Sequence, residues 1–395
     1  LLVMSVSAYY STLVEGAILL LAVLGSSLGR GSALHTYLRY ALTRGRAAWH
    51  GTRPALGQTA LASAAGASVR ADDSLTGQPL RDWLTRNAAT LRFVLPAYGA
   101  LFLILLVAGV VAQAPIFSVN YINSLLVLTS FLAILGLGQG AVVLTGGLDL
   151  SIPWTMTFAG VLLTGLAGGS DPAAVWALPF VLAMTTLVGL ANGLGVVFLG
   201  LSPIVVTLAM NGIVQGIALV YTDGTPKGWA PPALQWFMTG NVAGFAPIVY
   251  ALAMFVVAAT LLLTRTTFGR RIFAVGNSQR VARLSGVSVA GTLLGVYALS
   301  GFCSGLAGVL LTGFNGQAFN GMGDSYLLPS IAVVVVGGTL ITGGRGNYLG
   351  IFGGALALTA LATALTGTML PDAVRSIIYG VVVLGAIMAL RERTT

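Results

Sequence analysis

Residues 248–263 read IVYALAMFVVAATLLL, and the first charge after them is Arg265. Residues 101–111 (LFLILLVAGVV) and 380–390 (GVVVLGAIMAL) are equally apolar. With their neighbours such blocks approach the roughly 20 mostly apolar residues that cross a bilayer. Lipid offers the backbone no hydrogen-bond partner, so each crossing is expected to be a helix. The whole chain agrees. Of its 395 residues 56% are hydrophobic and only 7% charged, against about 25% charged in a soluble domain. So few charges cannot cover a water-facing surface. Its 53 glycines suit close helix packing and broken helices better than a porin-like barrel. The expected fold is an all-α, polytopic transmembrane helix bundle.

Working outward, candidate spans fall near residues 93–112, 120–146, 152–168, 173–198, 203–221, 244–264, 291–313, 326–342, 346–366 and 373–390. A further apolar block precedes them at 8–24. Between lies a polar stretch with nine arginines, loosely composed of Ala, Ser and Gly in its middle. Basic residues collect on the cytoplasmic side of membrane proteins. With that stretch placed inside, ten spans put 17 of the 19 basic residues on one side, leaving out only Lys227 and Arg375. Asp171, Asp223, Asp324 and Asp372 then fall on the other side. The net charge of +9 is therefore read as topology and not as a nucleic-acid interface. Cys303 has no partner for a disulfide. His35 and His50 lie in the polar stretch and read as solvated side chains, so no metal cluster is expected.

Four segments carry a resemblance. They are TGGLDLS at 145–151, GLANGLGVV at 189–197 followed by SPIVVTL at 202–208, FGRRIFAVGNSQRVARLSGVSV at 268–289, and IAVVVVGGTLITGGRGN at 331–347. Together and in this order they resemble the permease subunits of bacterial ATP-binding cassette (ABC) importers of the ribose, galactose and xylose class, which are related to branched-chain amino-acid permeases. The resemblance implies a transport subunit and not an enzyme, with no cofactor of its own. ATP and Mg would be bound by partner ATPase subunits. An extracytoplasmic substrate-binding protein and a second permease copy, the same or different, complete the expected assembly in the cytoplasmic (inner) membrane. The C-terminus and the polar linker are expected in the cytoplasm.

The loop at 265–290 is the sizeable basic insertion between spans. By charge alone it is a solvated, topology-setting loop. The resemblance implies instead an ATPase-coupling loop of Gly276, Asn277, Ser278, Arg280, Ala282, Arg283, Ser285 and Gly286. A short helix is expected over 277–284, with Ser278 as N-cap. The glycines at 337–338 and 343–346 lack the Gly-Lys-Ser/Thr ending of a phosphate loop. They read as a tight turn, with Arg345 available to a carbonyl end or the ATPase.

Asp149 is the acid closest to a span. It is expected to cap a helix starting near 151, and the alternative is a direct gating or substrate role. Thr207, Asn211 and Gln215 share a helix face with Thr222 and are candidates for the translocation path, together with Asn315 and Gln317. The other reading of such groups is hydrogen bonding across helices, and Asn192, beside two glycines, is assigned to packing.

The chain divides into a transmembrane segment at 1–25, a basic cytoplasmic linker at 26–92 and a permease domain at 93–395. The first segment parallels the last span. It reads either as an extra N-terminal span or as the tail of an upstream permease fused through the linker. The cargo is expected to be a small polar solute, most simply a monosaccharide. The alternatives are a branched-chain amino acid, a nucleoside, or an ion-coupled secondary transporter.

Overall fold

The computed structural model describes residues 79–110 and 115–366, with four further positions at 374, 377, 380 and 381. Among the described residues all regular structure is helical. Helix α1 spans Pro79–Val110, α2 Val119–Leu144, α3 Ile152–Ala167, α4 Asp171–Phe198, α5 Pro203–Thr222, α6 Pro232–Thr239 and α7 Pro247–Arg265. They are followed by α8 (Thr267–Asn277), α9 (Gln279–Leu284), α10 (Val289–Asn315), a 3₁₀ turn (Asp324–Tyr326), α11 (Leu327–Val336) and α12 (Tyr348–Thr366).

Six of these, α2, α4, α5, α7, α10 and α12, are long and apolar enough to cross a membrane. At about 1.5 Å per residue they match or exceed a hydrocarbon layer of about 30 Å. Two expected spans are shorter. The segment at 152–168 is the 16-residue α3, and that at 326–342 is the 10-residue α11, which stops at Gly337. Helix α1 begins at Pro79, inside the stretch assigned to the linker, and its apolar part is confined to Val94–Val110. The expected segment at 1–25 and the last span lie outside the described residues, apart from the four positions above.

Local chemistry sets the ends. Ser118 begins α2, its Oγ accepting from Tyr121 N at 3.2 Å. Proline occupies the first turn of α3, α4, α5 and α7, where its missing N–H costs nothing. Gly168 closes α3 with φ of 55°, a left-handed conformation that glycine adopts without strain. The exposed arginines 265, 270, 271, 280, 283 and 345 lie at one end of the bundle, and exposed Asp171, Asp223 and Asp324 at the other.

The centre is α2, with 89% of its apolar stretch buried. It packs against α10, α12, α11 and α7, while α10 also crosses α4 and α3. Lipid removes the usual hydrophobic drive between helices, so close backbone approach through small residues does the holding. A methyl on Gly189 would run into Tyr297 O, and one on Gly301 into Thr185 O. A methyl on Gly138 would lie 2.9 Å from Ser300 Cα. The apolar faces of α1, α4 and α7, with Phe102, Trp176 and Met254 more than half exposed, suit contact with acyl chains.

A longer-range tie joins α1 to α12. Tyr98 OH donates to Leu349 O at 3.0 Å. Tyr98→Phe is expected to remove about 1 kcal/mol, lowering the thermal midpoint in detergent by roughly 3 °C. An unchanged midpoint would show that the bond contributes nothing.

Candidate functional site

Helix α2 ends at Leu144, and seven residues pass before α3 begins at Ile152. This break, TGGLDLS at 145–151, runs between packed helices. Two of its amides close on α2 itself: Gly146 N donates to Val143 O at 2.8 Å and Gly147 N to Val142 O at 3.0 Å. Asp149 follows, 1% exposed.

Its carboxyl group is enclosed by donors from two directions. Oδ1 accepts from Ser151 N at 2.9 Å and from Ser151 Oγ at 2.6 Å. Oδ2 accepts from Ser300 Oγ on α10 at 2.6 Å. Asn192 on α4 donates through Nδ2 to Ser151 Oγ at 2.8 Å. Gln139 on α2 accepts from Asp149 N at 3.3 Å. The carboxyl thus ties the break to α10, Ser151 ties it to α4, and the Asp149 main chain ties it to α2. Ser300 lies 11 residues into α10, so the knot sits about 16 Å from the basic end of that helix. A polar group at such depth is costly unless hydrogen-bonded, and three donors meet that requirement without a cation. Gln139 Nε2 and Asn192 Oδ1 remain buried without partners, leaving one spare donor and one spare acceptor at the knot.

Asp149 therefore bonds one residue upstream of α3. Ser151 is the N-cap residue, and its carbonyl accepts from Thr155 N at 3.0 Å. Thr207 and Asn211 on α5 come to the same region. Thr207 Oγ1 donates to Pro203 O at 2.8 Å and approaches Leu148 O at 3.4 Å. Asn211 Oδ1 accepts from Trp154 N at 3.4 Å. Thr207 thus links α5 to the break and Asn211 links it to the first turn of α3. Gln215 is half-buried one turn further along α5. Asn315 and Gln317 are not brought here; they are exposed at the far end of α10 and just beyond it. Sequence reasoning missed Gln139 and Ser300. Gln139 alone carried a signal, as an amide inside the apolar run ILGLGQGAVVL at 134–144.

The basic loop forms a second constellation. Thr266 Oγ1 accepts from Gly269 N at 3.1 Å and starts α8, whose last residue is Asn277. Ser278 then caps α9, its Oγ accepting from Val281 N at 3.3 Å. The short helix begins two residues later than 277 because Asn277 completes α8, its Nδ2 donating to Phe273 O at 2.9 Å. Ala282 is buried, while Arg280, Arg283, Ser285 and Gly286 are exposed. Gly276 faces inward: a methyl there would strike Leu144 O and come within 2.7 Å of Gly344 N. Gly344 N donates to that same Leu144 carbonyl at 2.9 Å. The turn after α11 reaches this position through left-handed Gly338, Gly343 and Gly344, with φ of 80°, 89° and 79°. The end of α8, the end of α2 and the glycine turn thus meet at one carbonyl, five residues before Asp149. Among the described residues no group of three or more His, Cys, Asp or Glu could hold a metal.

Comparison with known proteins gives the following. Residues 121–389 match the family described as branched-chain amino acid transport system / permease component. The chain is 33% identical to the ribose import permease protein RbsC of Haemophilus influenzae, over 77% of this chain and 96% of that protein. It is 31% identical to the galactose/methyl galactoside import permease protein MglC of Escherichia coli, over 73% and 92%. It is 34% identical to the autoinducer 2 import system permease protein LsrD of Yersinia enterocolitica, over 62% and 74%. No solved structure matches it.

Proposed function

The chain belongs to the family of branched-chain amino acid transport system permease components, and from that premise we propose that it is the membrane subunit of an ATP-driven importer whose cargo is a monosaccharide. The observation that carries this reading is its similarity, across 96% of their length, to ribose import permeases. In this reading the chain is a multi-pass inner-membrane protein, with linker and C-terminus in the cytoplasm and with the short helices α3 and α11 as partial crossings. It performs no chemistry. It pairs with a second permease copy, two ATP-binding subunits and an external substrate-binding protein.

The coupling segment is α8–α9. Closure of the ATPases moves it, and its inner end, Gly276, bears on the Leu144 carbonyl and on Gly344. The break from 145 to 151 follows directly from that carbonyl and ends in the Asp149 knot. The junction therefore offers a short mechanical route from nucleotide state to the helices that enclose the path. Two discrete arrangements of these helices, biased by ATP, would expose the path alternately to each side.

The test is affinity purification of the tagged chain from its native membrane, followed by uptake into vesicles. An ATP-binding subunit in stoichiometric amount, with ATP-dependent uptake of ribose or galactose, supports the reading. Uptake that follows an ion gradient without ATP would replace it with a secondary transporter. Arg283→Glu reverses an exposed charge on α9. It is expected to weaken ATPase association about fivefold, as loss of about 1 kcal/mol does, while insertion stays normal. Unaltered association would remove Arg283 from the interface.

A further inference from the structure

The second constellation of hydroxyls lies away from the knot, in the half of the bundle opposite the basic end. A cleft of about 290 Å³ opens between α2, α11 and α12, near the lower bound of the roughly 300–1,000 Å³ of small-molecule sites. Its polar lining comes from Ser325, Tyr326, Thr359, Thr363 and Thr366, and the remainder of the wall is largely aliphatic. Thr359, Thr363 and Thr366 recur at the spacing of one helix face.

Two of these hydroxyls are exceptional. Thr and Ser within the other helices satisfy their hydroxyls on a carbonyl one turn back, as at Thr129, Thr157, Thr222, Thr260 and Thr312. Thr366 does the same, donating to Ala362 O at 2.9 Å. Thr359 Oγ1 and Thr363 Oγ1 are buried with no partner at all, and Thr359 is only 5% exposed. A buried hydroxyl without a partner is unfavourable in any apolar surround. Both belong to residues that line the cleft. The Tyr326 ring is held in place by an edge-on contact with Phe131, centroids 6.2 Å apart.

We propose that this cleft is a transit site for a polyhydroxylated solute, with Thr359 and Thr363 bonding its hydroxyls and the aliphatic wall covering its C–H face. Aliphatic wall and isolated hydroxyls together match a sugar ring, which presents both kinds of surface. An acyl chain would use only the first and water only the second. The cleft lies about 16 Å along α12 from its start at Tyr348, on the side away from the coupling segment. It would therefore receive solute before the path opens towards the basic end. The assignment rests on the monosaccharide-importer reading.

The experiment is uptake of D-ribose and D-galactose by vesicles containing the complete importer, with the unmodified chain, Thr359→Val, Thr363→Val and the double variant. Each valine keeps the shape and removes one hydroxyl. KM for the transported sugar is expected to rise about fivefold per hydroxyl, with Thr359→Ser restoring it and ATPase association unchanged. Thr363→Cys supplies a readout independent of the valines. Its modification by a membrane-impermeant thiol reagent should be slowed by the transported sugar, and Cys303, buried, contributes little background. ATP-dependent uptake with unchanged KM in the valine variants, or a Thr363→Cys thiol that sugar does not protect, overturns the cleft alone. Absence of ATP-dependent uptake of either sugar by the unmodified chain overturns the importer reading and the cleft with it.

Discussion

Asp149→Ala is expected to lower the thermal midpoint of the purified protein by on the order of 10 °C and to abolish uptake. The carboxyl accepts three hydrogen bonds from Ser151 and Ser300. Hydrogen bonds to a carboxylate contribute about 1.5–3 kcal/mol each. The two serine hydroxyls can turn to other acceptors after the substitution, but the Ser151 N–H cannot. A net loss of roughly 3 kcal/mol is therefore expected, and each kcal/mol moves the midpoint by about 2–4 °C. Asp149→Asn keeps one acceptor oxygen for Ser151 and turns an amide towards Ser300, whose hydroxyl can accept. Its loss is expected to be nearer 1 kcal/mol. The order aspartate, asparagine, alanine in melting experiments is the signature of a hydrogen-bonded knot. An alanine variant that melts with the unmodified protein would show that the knot does not hold the break.

Gly276→Val is expected to reduce ATP-driven uptake by about 30- to 100-fold while the protein still inserts. The first added carbon would overlap the Leu144 carbonyl and crowd the Gly344 amide. Both are backbone atoms, so no side chain can swing away. Overpacking of this kind costs about 1–3 kcal/mol, and 1.4 kcal/mol is a factor of ten in population. The variant therefore spends most of its time with α8 lifted from the end of α2. ATPase association through the exposed face of α9 should survive, so binding and transport separate. Uptake at the unmodified rate would mean that force reaches the bundle by another route.

Much of the architecture was legible in the residues because its causes are local. Apolar runs such as 248–263 mark helices through their length and lack of charge. Ser278 marks a helix start through a bond to a residue three positions on. The arginines of the basic loop mark one end of the bundle. The glycines at 343 and 344 read as a turn, and their φ values are left-handed.

Hydropathy could not separate full crossings from partial ones. The segment at 152–168 is as apolar as its neighbours, yet it forms a 16-residue helix. The segment at 326–342 gives a helix that ends at Val336, and Gly337 follows where Gly350 and Ile351 of α12 leave no room for a side chain. Hydropathy measures only the transfer of a segment into lipid, whereas these lengths depend on what the segment packs against.

The sequence by itself determined the helical class, the membrane, the basic end, the short helix capped by Ser278 and the suspicion attached to Asp149. Only the tertiary structure decided what Asp149 meets. Ser300 is 151 residues away in the chain and Asn192 lies 41 residues beyond Ser151. They reach the break because Gly189 and Gly301 let α4 and α10 cross at backbone distance. The same holds at Leu144, where Gly276 of α8 and Gly344 of the turn after α11 converge. Which residues oppose one another is set by where helices cross, and that is a property of the packed bundle and not of any one segment.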